Sequence, residues 1–189
     1  ITLKNVLIGL SRPHMPYKGL IMAILISQMI VPLIITAAGM FFFYARINLV
    51  YTFTGVILAH VALATPFVVI TVTATLVGFD MNMVKAAQSL GAKPMKTFFK
   101  VIMPLILPGI ISGALFAFIT SFDEVVVVMF MASIDQLTIP KQMWAGIRQE
   151  ISPVILCMAT CLVLLSIFLL TTVELLRRRS EKLRGIKAR

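Results

Sequence analysis

Four stretches of this chain contain no Asp, Glu, Lys or Arg: residues 19–45, 47–79, 101–122 and 151–173, with lengths of 27, 33, 22 and 23. A helix needs about 20 predominantly apolar residues to cross the hydrocarbon of a bilayer, so each stretch is long enough for one crossing. Composition agrees. Hydrophobic residues are 60% of the chain and charged residues 13%, against about 45–50% and 25% in soluble globular domains. A chain of 189 residues has no core large enough to hide that much apolar surface from water. These numbers exclude a soluble enzyme, a secreted disulfide scaffold and a disordered tail. The fold class expected is an all-α membrane protein, a polytopic helical bundle with spans near Leu20–Phe43, Gly55–Val77, Leu105–Phe122 and Pro153–Leu176. Residues 1–10 read as the end of an earlier helix, with Lys4 inside it, and the chain opens on Ile1 as a fragment or processed chain would. A fifth uncharged run, 125–134, has only ten residues, which suits a re-entrant or interfacial piece.

Charge gives these spans a direction. The chain carries 17 Lys and Arg against 7 Asp and Glu. Four spans place residues 11–18, 78–104 and 177–189 on one side, with thirteen of the basic residues, and 44–54 and 123–152 on the other, with Arg46, Lys141 and Arg148. An excess of Lys and Arg marks cytoplasmic loops, so the first set is expected in the cytoplasm. The same rule explains a net charge of +10 without nucleic acid. Arg177–Arg179 in the tail 177–189 read as a stop-transfer anchor, with a lipid site as the alternative.

Within the spans, Pro32 and Pro66 are bends or hinges, and neighbouring helices can satisfy the carbonyls they free. His60 is a functional candidate on default grounds, or a packed and satisfied side chain. Cys157 and Cys161 are expected as core thiols; no carboxylate or His stands beside them to complete a metal site, and no metal is expected.

Loop 78–104 has internal order. Asp80 suits a helix N-cap. Met83, Ala86, Ala87 and Leu90 follow at i, i+3, i+4, i+7, one helical stripe. Gly91 can take φ > 0 and end the helix, Pro94 can open another at N1, and Met95, Phe98, Phe99 and Ile102 repeat the spacing. Pro104 is expected to break the chain before the next span. Two short amphipathic helices result. They lie on the lipid surface or dock a cytoplasmic partner, with the small Ala86 and Ala87 allowing close approach.

The loop resembles the cytoplasmic loop of permease subunits of binding-protein-dependent ABC importers. That family's pattern is Glu-Ala-Ala, three residues, Gly, nine residues, Ile, one residue, Leu-Pro. Here stand Ala86-Ala87, three residues, Gly91, nine residues, Val101, one residue and Met103-Pro104. Lys85 replaces the Glu, reversing a charge; Val101 and Met103 replace Ile and Leu with similar volumes. The resemblance runs from about residue 9 to 176. Phe67-Val68-Val69, Leu107-Pro108-Gly109 and Ser121-Phe122-Asp123-Glu124-Val125-Val126-Val127 are similar to the spermidine/putrescine branch.

The resemblance implies one permease domain over 1–189, short of its first span and most of its second, in a bacterial inner membrane. It implies a second permease subunit, cytoplasmic ATP-binding subunits and a periplasmic solute-binding protein as partners. Ala86, Ala87, Leu90, Gly91, Phe98, Phe99 and Pro104 would form the ATPase-coupling surface. Asp123 and Glu124 would line the substrate path, where their charge suits a polyamine; the alternative is a helix-end pair in solvent or bound to Lys141 or Arg148. The chain has no G-x-x-x-x-G-K-[ST] loop, so no cofactor is expected on it and ATP belongs to a partner. Other readings stay open: a self-contained channel or secondary transporter, or an importer permease for a phosphonate, an opine or another solute. An enzyme lacks support, with no H-E-x-x-H and no G-x-S-x-G.

Overall fold

The computed structural model describes residues 17–77, 80–149 and 153–183. Every regular element among them is helical: α1 (Lys18–Ile30), α2 (Leu33–Arg46), α3 (Phe53–Val77), α4 (Met81–Ser89), α5 (Pro94–Thr97), α6 (Met103–Phe122), α7 (Val126–Met131), α8 (Ile139–Gln149) and α9 (Pro153–Leu183). Three helical stretches are long and apolar enough to cross a membrane: Phe53–Leu76, Pro94–Phe122 and Pro153–Thr172. The pair α1 and α2 makes a fourth if it is one broken span. The helix proposed for residues 1–10 lies outside the described residues.

Three prolines behave in three ways, each traceable to the missing N–H and the bulk of the ring. At Pro32 the expected single helix Leu20–Phe43 is instead two helices bent by 110°. Proline disfavours the α region for the residue before it, and Val31 is extended at φ −66, ψ 131. Pro32 then caps α2, its carbonyl accepting from Ile35 N–H at 2.9 Å. Pro66, by contrast, stays inside α3 and is fully buried. Its absent N–H leaves the carbonyl of Ala62 without its helical donor, and Gln28 Nε2 of α1 supplies one at 3.0 Å.

Pro104 does not break the chain as expected. The turn before it, Phe98–Ile102, is a π-helix, and Met103 N–H reaches back to Phe98 O. A π turn widens the ladder, which relieves the clash between a proline ring and the carbonyl four residues earlier. The helix therefore runs on from Pro94 through Phe122, with Pro108 inside it, and the second loop helix is the first turn of a span.

α3 and α6 are the most extensively packed pair. Gly109 and Gly113 of α6 explain why. A Cβ on Gly109 would collide with Thr75 Oγ1, and one on Gly113 with Thr71 Oγ1 and the Val68 backbone. Two small residues four apart let helix backbones approach closely in lipid, where packing rather than water exclusion drives association. Thr71 and Thr75 return their hydroxyls to carbonyls of their own helix, Phe67 O and Thr71 O, both at 2.9 Å, so the tight interface carries no orphaned donor from them. Phe67 stacks on Phe116 at 6.2 Å. At the Phe122 end of the pair, His60 Nδ1 and Ser121 Oγ share a hydrogen bond of 2.8 Å, a satisfied packing role for that histidine.

A second core joins α2, α3 and α7 through Ala37, Ala59, Leu63, Val127 and Met131. Cys157 and Cys161 are exposed on α9, not core thiols as expected.

Candidate functional site

Two regions hold the residues singled out in the sequence, and they sit at opposite ends of the α3–α6 pair. The first follows the C-terminus of α3. Asp80 caps α4 as expected, its carboxylate accepting from Asn82 N–H at 2.9 Å. The helix closes in a Schellman motif: Ala92 N–H donates to Ala87 O at 3.0 Å and Gly91 N–H to Gln88 O at 2.9 Å. Gly91 takes φ +77, the left-handed region that glycine enters without steric cost. Pro94 then opens α5 at its N-terminus.

This end is well built yet uncovered. Met83, Leu90, Met95 and Phe99 are all exposed, Leu90 to 88%. Ala86 is exposed and Ala87 half-buried. Phe98 is half-buried and meets Phe99 edge-on at 5.2 Å. Ala86, Ala87, Leu90, Gly91, Phe98 and Phe99 thus share one small unit, while Pro104 lies farther along, on the exposed side of α6. Lys85 is exposed, free of any burial that a reversed charge would make costly.

The second region follows Phe122, and it separates two neighbouring carboxylates. Asp123 is exposed. It lies on the rim of a cavity of about 430 Å³ whose walls, including Phe122, Met143, Trp144 and Leu162, are apolar. Glu124 is 6% exposed and turned inward. Its Oε1 accepts from Val127 N–H at 2.6 Å, at the entry to α7. Burial raises its carboxyl above the ordinary range; the Val127 hydrogen bond opposes that rise and the charge of Asp123 adds to it. Neither carboxylate is paired with Lys141 or Arg148. Lys141 Nζ donates to the carbonyls of Ala132 and Ser133, each at 3.3 Å, and the Arg148 guanidinium lies over the Trp144 ring at 5.8 Å. Part of run 125–134 is α7, a six-residue helix that buries Val127, Val128 and Met131.

Sequence reasoning missed the Gly109/Gly113 pair, although its spacing in an apolar segment was a readable signal. It also missed the bond from Gln28 and the carbonyl contacts of Lys141, which depend on folding and carry no local pattern.

Comparison with known proteins fits this arrangement. Residues 6–182 match the family model described as "Binding-protein-dependent transport system inner membrane component". The spermidine/putrescine transport system permease protein PotC of Haemophilus influenzae is 30% identical over 174 residues, covering 92% of this chain and 68% of the relative. PotC of Escherichia coli K12 is 29% identical over 175 residues, covering 93% and 66%. The putrescine transport system permease protein PotI of the same strain is 37% identical over 103 residues, 54% of this chain and 37% of the relative. This chain therefore spans about two thirds of the length of the PotC relatives. With a family match over nearly its whole length, the chain belongs to the inner-membrane components of binding-protein-dependent transport systems.

Proposed function

We propose that the chain is a permease subunit of an ATP-driven importer for a polyamine such as spermidine or putrescine. One permease domain over 1–189 forms part of the path in a bacterial inner membrane. It works with a second permease subunit, ATP-hydrolysing subunits in the cytoplasm and a periplasmic solute-binding protein. The observation that carries the reading is the α4–α5 unit. It is capped, closed by a Schellman turn and continuous with a span, yet it leaves Met83, Leu90 and the adjoining Phe99 exposed. A rigid apolar knob of this kind fits a groove on a partner. Closure of the ATP-binding subunits would push α4 and α5. Because α5 runs into α6, and α6 is locked to α3, the push would tilt two spans as one body.

Polyamine as solute is supported by the likeness to PotC and PotI and by Asp123, an exposed carboxylate at the end of a span. Attraction between one carboxylate and one ammonium near a surface is worth up to about 4 kcal/mol before desolvation is subtracted. Glu124 adds charge from behind but spends one oxygen on α7.

The test is uptake of spermidine by the complete importer. Asp123→Asn together with Glu124→Gln keeps both shapes and removes both charges. Uptake should fall strongly while assembly and basal ATP hydrolysis persist. Wild-type uptake by the double variant would remove the carboxylates from the path. Failure of the unaltered chain to gain ATPase activity with its partner subunits would sink the importer reading itself, in favour of a self-contained channel or secondary transporter.

A further inference from the structure

The short helix α7 faces a difficulty that the spans do not. Six residues close few internal hydrogen bonds, so most of its terminal N–H and C=O groups need outside partners. Yet Val127, Val128 and Met131 are fully buried, where leaving a polar group unpaired is costly. The partners come from three other segments. At the entry, Glu124 accepts from Val127 N–H. At the exit, Tyr51 N–H donates to Met131 O at 2.9 Å, and Lys141 Nζ takes both Ala132 O and Ser133 O. Gln136 ties these together: its Oε1 accepts from Ser133 N–H and its Nε2 donates to Tyr51 O, each at 3.1 Å. Tyr51 has φ 62, a conformation that a non-glycine residue keeps only when its surroundings hold it there.

Lys141 is the informative member of this set. It lies in the first turn of α8, the end of a helix where a cation is disfavoured. Nothing in α8 accounts for it, whereas the two carbonyls leaving α7 do. It is half-buried, and the charged donor makes these bonds stronger than neutral ones.

We propose that Lys141 is a positioning residue for transport: with Glu124 at the opposite end, it holds the buried helix α7 in its seat between α2 and α3, and thereby sets where Asp123 stands. Lys141 touches no solute in this account. The role of Asp123 rests on the importer reading; the hold on α7 does not.

The test uses the complete importer in membranes, with Cys157 and Cys161 replaced by Ala and one cysteine introduced by Val128→Cys. Position 128 is fully buried and should react slowly with a water-soluble thiol reagent. Lys141→Met should raise that reaction rate about tenfold or more, the consequence of losing a charged hydrogen bond to buried carbonyls. Lys141→Arg, which also donates to two carbonyls, should keep the rate within about twofold of the parent. Maximal spermidine uptake should follow the same order, lost in the Met variant and kept in the Arg variant. The proposal is overturned if Lys141→Met leaves position 128 protected, or if Arg and Met variants become equally reactive or disappear equally from the membrane. Thiol protection needs no solute, so an unaltered importer that ignores spermidine contradicts the solute assignment while labelling still decides the hold on α7.

Discussion

The α4–α5 unit and helix α7 are both short helical elements at the ends of the same pair of spans, and they treat apolar surface in opposite ways. α4 is closed locally: Asp80 caps it, Gly91 ends it, and Ala92 returns to Ala87. Its large side chains remain outside. α7 closes its own turns too, with Met129 N–H on Val125 O and Ala132 N–H on Val128 O, but its exit leans on distant segments. Glu124 serves its entry from nearby, while Tyr51 and Lys141 take the carbonyls at its exit, and Val127, Val128 and Met131 are buried. An element that supplies its own hydrogen bonds can keep its shape while leaving a face free for a partner. An element that borrows them is tied to its own chain and suits a fixed place beside a path.

The comparison depends on α3 and α6 forming one body, so the largest effect should come from prising them apart. Gly109→Leu puts a side chain where Thr75 stands. Overpacking costs about 1–3 kcal/mol even where neighbours can adjust, and here backbone is also close. Membrane abundance should collapse. Gly109→Ala should do less harm, and adding Thr75→Ala should restore part of the loss, measured as the thermal midpoint of the purified protein in detergent. An indifferent Gly109→Leu variant would mean that the two ends are not joined by this contact.

Next in size is Gly91→Val. The position is open, so the cost lies in the backbone: φ +77 is worth about 1–2 kcal/mol against a residue with a Cβ, and more against a branched one. The variant should insert normally and lose ATP hydrolysis stimulated in the assembled complex. Gly91→Asn, which tolerates the left-handed region, should keep most of it. Normal transport by the Val variant would separate α4–α5 from coupling.

The smallest effect sharpens the proline contrast. Gln28→Leu removes the donor to Ala62 O behind Pro66. Hydrogen bonds between membrane helices average about 0.6 kcal/mol, so the thermal midpoint should drop slightly with uptake retained. A large loss would show that α3 around Pro66 depends on α1.

Much of this was legible in the chain before any coordinates. Run length marked three spans, and one glycine, one aspartate and one proline marked the boundaries of α4 and α5, because those residues act on the backbone beside them. Pro32 and Pro104 were misjudged in opposite directions: one breaks a helix read as continuous, the other is absorbed by a π turn where a break was expected. Both outcomes depend on what the surrounding turns can accommodate, which no local pattern states. The division of labour between Asp123 and Glu124 was hidden for a related reason. Two adjacent carboxylates look alike until the chain turns one inward onto Val127.

The central claim is that the two ends of the α3–α6 body face opposite compartments, with the uncovered α4–α5 unit on the side of the ATP-hydrolysing partner. Thiol labelling of intact cells tests it most directly. In a background lacking Cys157 and Cys161, single cysteines replace Gln88 in α4 and Ile134 after α7, both exposed. A membrane-impermeant reagent should label position 134 from outside and reach position 88 only after the membrane is opened, as the distribution of Lys and Arg requires. Labelling of position 88 in intact cells would place the α4–α5 unit away from ATP and contradict the account.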